Sequence, residues 1–118
     1  MGDGASDLED VRAAIDAELA RTTEQIGNLE RSFAGIVEAA ELTSTDDEHD
    51  PEGATIAYER AQVWALLRQA REDLDALLEA RERVAGGGVP MCTTCGSEIA
   101  VERVLALPGV RTCIGCAS

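Results

Sequence analysis

The chain has 118 residues, a formal net charge of −13 and only three aromatic side chains, Phe33, Tyr58 and Trp64. A charge of that sign argues against a sequence-independent grip on nucleic acid, because phosphate binding needs clustered cations. No run of about 18 apolar residues is present, so no membrane span is expected. The start, Met1 to Asp7, lacks the basic and apolar regions of a signal peptide, which predicts a cytoplasmic chain.

The apolar 45% is mostly Ala, Leu, Val and Ile, a composition suited to thin helix-on-helix packing. All ten basic residues are Arg, and Arg pairs with carboxylates in a bidentate geometry that Lys cannot form. An acidic protein of this size suits a partner with a basic surface or metal ions; the same surface also serves solubility alone.

The first helix signal is Ser6-Asp7-Leu8-Glu9, a capping box in which Ser6 is the N-cap and Glu9 reaches back. Apolar or near-apolar residues then recur at Leu8, Val11, Ile15, Leu19, Thr22, Ile26, Leu29, Phe33, Ile36 and Ala40. Steps of three or four make one stripe on a helix ending near Leu42, about 50 Å long. Gly27 and Gly35 each weaken it by about 1 kcal/mol relative to Ala, so packing must hold it.

Residues 43–53 break this pattern with turn-forming Asp, Pro and Gly and no large apolar side chain. A second helix is expected from about Ala54, with a stripe at Ile56, Val63, Leu67, Ala70, Leu74, Leu77 and Val84. Arg60 and Arg81 fall in register with it, stems packing and heads reaching water. Trp64 lies beside the stripe and reads as hairpin packing. The fold class that follows is mainly α: a long antiparallel helical hairpin, or coiled coil, over residues 1–85 with an acidic tip at 43–53. Residues 86–91 form a Gly-rich hinge, and residues 92–118 hold all four cysteines.

Cys92-x2-Cys95 is followed, after seventeen residues, by Cys113-x2-Cys116. Each pair presents two thiolates on one tight knuckle, and two facing knuckles complete a tetrahedral shell for Zn²⁺. Four Cys ligands leave no position open for water, which predicts a structural metal rather than a catalytic one. Disulfides suit a cytosolic chain poorly, and a redox Cys-x2-Cys needs a βαβ context absent from this sequence. Between the knuckles, Glu98, Glu102, Arg103 and Arg111 balance in charge, so four thiolates on a divalent ion leave the finger negative and ill suited to reading DNA.

From Cys92 to Cys116 the chain runs Cys-Thr-Thr-Cys-Gly-Ser-Glu-Ile-Ala-Val-Glu-Arg-Val-Leu-Ala-Leu-Pro-Gly-Val-Arg-Thr-Cys-Ile-Gly-Cys. This segment resembles the zinc finger of the DksA/TraR family, whose pattern is C-x2-C-G-x2-I-x3-R-L-x-A-x-P-x4-C-x2-C. Gly96, Ile99, Arg103, Ala106 and Pro108 fit, and Val104 stands where Leu is usual. The order of parts, hairpin then C-terminal finger, is also the family's.

What the resemblance implies is a bacterial transcription regulator that binds RNA polymerase without reading DNA. The coiled coil would enter the polymerase secondary channel, its acidic tip near the active centre and the finger near the rim. Family tips carry Asp-x-x-Asp-x-Ala. Here Asp47 and Asp50 supply the pair, Glu52 takes the place of the Ala, and Ala54 follows two positions late. The partner-binding tip residues implied are therefore Asp47, Asp50 and Ala54. His49 reads as an exposed loop residue. The remaining expectations are a monomer, Zn²⁺ as cofactor and no enzymatic activity. A competing reading is a zinc-ribbon adaptor that docks another protein while the tip stays inert.

Overall fold

The computed structural model describes residues 3–43 and 51–117. They form three helices: α1 (Asp3–Thr43), α2 (Pro51–Ala85) and a short α3 (Val101–Ala106). Among the described residues the only β pairing outside the helices is an isolated antiparallel bridge between Met91 and Glu98. The mainly helical class and the long hairpin expected from the stripes are what the chain adopts.

Both hairpin helices begin earlier than their sequence signals. α1 starts at Asp3, so Ser6 sits inside the helix and does not serve as its N-cap. Ala5 favours helical backbone, and Asp7 complements the positive helix end, which carries the turn upstream of the capping box. α2 starts at Pro51 rather than Ala54. Proline at a first helical position loses no hydrogen bond, because the N–H there has no intrahelical acceptor. Asp47, His49 and Asp50 lie outside the described residues.

The stripes are buried as their spacing requires. Val11, Ile15, Leu19 and Thr22 on α1, and Leu67, Ala70, Leu77 and Val84 on α2, are all buried, and the other stripe positions are half-buried. Arg60 and Arg81 are exposed.

The chain divides into two compact units. One comprises Thr23–Arg71. In it Arg71 pairs with Glu30 at 2.9 Å, and the Trp64 ring lies 5.8 Å from that of Phe33. Partners later on α1 meet residues earlier on α2, the register of an antiparallel hairpin. Trp64 packs here while staying 46% exposed.

The other unit runs to Thr22 and resumes at Glu72. Val11, Ile15, Leu19, Leu77 and Val84 from the hairpin share one apolar cluster with Cys92, Ile99 and Val104 from the cysteine segment. Ile15, Leu77, Val84 and Val104 are essentially without exposure, and each contributes about 1.5–3 kcal/mol by leaving water.

The glycine run after α2 has a defined geometry. Gly87 takes φ +87°, its N–H donates to the Val84 carbonyl at 3.0 Å, and the Gly88 N–H donates to the Arg83 carbonyl at 2.9 Å. These two bonds are a Schellman motif, which satisfies carbonyls at the helix end and turns the chain away. A Cβ on Gly88 would meet the Arg83 carbonyl oxygen at 3.2 Å. The chain then leaves through Pro90, which is buried.

Candidate metal centre

The first knuckle is built by a short backbone ladder. Ile99 N–H donates to the Pro90 carbonyl at 2.9 Å, and Cys92 N–H to the Ser97 carbonyl at 2.7 Å. Gly96 N–H closes the turn onto the Cys92 carbonyl at 2.9 Å, with φ of +78° at Gly96. That left-handed backbone is open to glycine at little cost. In the second knuckle, Cys116 and Ala117 N–H groups both donate to the Cys113 carbonyl at 3.0 Å.

Two bonds tie the knuckles together, and a third ties α3 to the second knuckle. Thr93 N–H and its hydroxyl both donate to the Arg111 carbonyl, at 2.8 and 3.2 Å. Arg103, on α3, donates its Nε–H to the Thr112 carbonyl at 2.8 Å, immediately before Cys113. Arg111 also reaches back to α2, pairing with Glu79 at 3.2 Å. The Pro108–Gly109 turn is held close as well: a Cβ on Gly109 would lie 3.4 Å from the Leu77 Cγ.

This scaffold gathers Cys92, Cys95, Cys113 and Cys116 so that their four sulfurs lie within 4.8 Å of one another. Cys95 and Cys113 sulfurs are 3.7 Å apart. Tetrahedral zinc with Zn–S of about 2.3 Å puts neighbouring sulfurs about 3.8 Å apart, so the donor set and the Cys95–Cys113 separation fit Zn²⁺. Cys92 is buried, Cys113 and Cys116 are half-buried, and Cys95 is exposed. Among the described residues no His, Asp or Glu joins this group. These four side chains would hold the ion, which would supply a cross-link between the knuckles and no open coordination position.

The thiols are unequal in the metal-free chain. Cys92 is lowered from 9.0 to about 6, chiefly by the Cys95 backbone N–H and then by that of Cys113. Cys95 is lowered by the Ser97 hydroxyl first and by the Ser97 backbone next. Cys116 is pushed up to about 12, because Cys113, Cys95 and Cys92 crowd it with sulfur. Such crowding of thiolates is what a bound cation relieves.

The four cysteines singled out in the sequence thus converge. Ala54 lies near the start of α2, exposed, in the Thr23–Arg71 unit. Three contributors escaped sequence reading: the Thr93 bond between knuckles, the Arg103 bond from α3 to the second knuckle, and the Ser97 hydroxyl, 2.7 Å from the Cys95 sulfur. Only Arg103 carried a signal, its place in the family pattern. No helix among the described residues is long and apolar enough to cross a membrane.

Fold and site together define a helical hairpin bearing a C-terminal four-cysteine zinc finger. Residues 85–118 match the family model described as the prokaryotic dksA/traR C4-type zinc finger. The chain is also similar to the structure of transcription factor DksA2 from Pseudomonas aeruginosa, at 28% identity. That likeness covers 87% of this chain and 79% of that one, with a TM-score of 0.50. No curated protein matches. Residues 85–118 thus carry a zinc finger of the dksA/traR C4 type.

Proposed function

We propose that this protein is a transcription regulator that binds core RNA polymerase, inserts its hairpin tip into the secondary channel and makes no sequence-specific contact with DNA. The observation that carries the reading is the likeness to DksA2, which spans hairpin and finger together rather than the finger alone. Zinc, held by Cys92, Cys95, Cys113 and Cys116, has a structural part: it joins the knuckles whose core is continuous with the hairpin base. Asp47, Asp50 and Ala54 form the working tip, and a net charge of −13 favours a basic protein surface over nucleic acid. The closed four-cysteine shell gives the finger no Lewis-acid chemistry to offer a substrate; in this reading the protein is a monomeric cytoplasmic regulator of the polymerase and not an enzyme.

A photo-crosslinking residue at Ala54, which is exposed, tests the reading. Zinc-loaded protein mixed with core polymerase is expected to cross-link to segments lining the secondary channel. Cross-links confined to the outer polymerase surface, or formed only with a different stoichiometric protein, would replace this reading with the adaptor one.

A further inference from the structure

We propose that Ser97 is a positioning residue for the metal: its hydroxyl donates a hydrogen bond to the Cys95 thiolate and thereby slows zinc loss and attack at that sulfur.

Local backbone geometry sets the contact up. Gly96, at φ +78°, folds the backbone back over the first knuckle, and Cys92 N–H fixes the return by donating to the Ser97 carbonyl at 2.7 Å. This turn carries the Ser97 Oγ to 2.7 Å from the Cys95 Sγ. A metal-bound thiolate has no proton to give, so between these two atoms the hydroxyl is the donor.

Cys95 is the exposed member of the four, whereas Cys92 is buried and Cys113 and Cys116 are half-buried. Four thiolates around Zn²⁺ carry excess negative charge, and the sulfur facing solvent is the one that protons, electrophiles and chelators reach first. A hydroxyl on that sulfur withdraws charge from it and occupies part of its open side. Outer-sphere hydrogen bonds of this kind fix ligand orientation, and losing one typically costs about 10–100-fold in metal affinity. Ser97 is itself exposed, so water competes for the same position and the lower end of that range applies. This inference rests on the zinc shell alone and is independent of any partner.

The test compares wild type, Ser97→Ala and Ser97→Thr. All three keep the backbone bonds at residue 97, and the side chain is exposed, so folding is not at stake. Zinc affinity is measured by competition with a chromophoric chelator, and iodoacetamide labelling of the zinc-loaded proteins is mapped by mass spectrometry. One zinc per wild-type chain is expected first; a wild type that takes up none overturns the shell and this proposal together. Ser97→Ala is then expected to bind zinc about 10-fold more weakly and to label several-fold faster at Cys95, while Ser97→Thr behaves as wild type. Unchanged affinity and labelling in Ser97→Ala would overturn the assignment. So would acceleration spread equally over all four cysteines, or a Ser97→Thr protein as impaired as Ser97→Ala, since both mean that the hydroxyl bond is not the cause.

Discussion

Leu77 sits where the hairpin meets the Pro108–Gly109 turn, and its truncation measures how firmly the finger is built into the helical base. The side chain is 1% exposed and belongs to the cluster that joins Val11, Ile15 and Leu19 to Cys92, Ile99 and Val104. Leu→Ala changes in a core cost about 2–5 kcal/mol, the larger values arising where the cavity cannot collapse. One wall of this cavity is Gly109, whose own Cβ position is 3.4 Å from Leu77 Cγ. Glycine has no side chain to move into the space, so the loss falls in the upper part of the range, about 3–5 kcal/mol. Leu66, on the same helix but 50% exposed, supplies the control, with a loss of under about 1 kcal/mol. Urea unfolding of the zinc-saturated proteins, followed by far-UV circular dichroism, reads both. Equal losses for Leu77→Ala and Leu66→Ala would refute a core shared by hairpin and finger.

Other consequences follow from the same geometry. Gly35→Ala is expected to stabilise α1 by about 1 kcal/mol, because a Cβ there meets nothing within 4 Å; thermal melting shows it as a raised midpoint. Gly87→Ala acts in the opposite sense, costing about 1 kcal/mol at a φ of +87°, read by the same melt. Zinc uptake above about pH 7 should release fewer than four protons. Cys92, lowered to about 6, is by then mostly thiolate and gives up little, whereas Cys116, pushed up to about 12, must give up a full proton. Calorimetry in buffers of different ionisation enthalpy counts them, and the count should rise as pH falls through about 6. Chelating the zinc is expected to accelerate amide exchange through residues 90–104 and the core around Val84, leaving the Thr23–Arg71 unit protected.

Much of this fold was legible because the stripe spacing on both hairpin helices maps directly onto burial. Every stripe position from Leu8 to Ala40 and from Ile56 to Val84 is buried or half-buried. The helix starts were less legible. Ser6 carries a strong capping signal, but a cap is one bond and the preceding residues also tolerate helix, so α1 extends to Asp3. Pro51 reads equally as turn or first helical residue. The four cysteines were legible from spacing alone, since a Cys-x2-Cys pair has few other uses in this setting. What the spacing could not give was the support around them. The six-residue α3, the Arg103 bond to the Thr112 carbonyl and the Ser97 hydroxyl on Cys95 depend on how the chain between knuckles folds back. The burial of Val104 beside Ile15 and Val84 is likewise a tertiary fact, invisible to a periodicity that a single short turn cannot express.

Action through RNA polymerase is decided by co-purifying the zinc-loaded protein with the core enzyme, beside a variant with Asp47→Asn and Asp50→Asn. Both proteins are expected to co-elute with polymerase at equal stoichiometry, and only the wild type to alter transcription initiation. Failure of the wild type to bind polymerase would mean that the protein does not act through it.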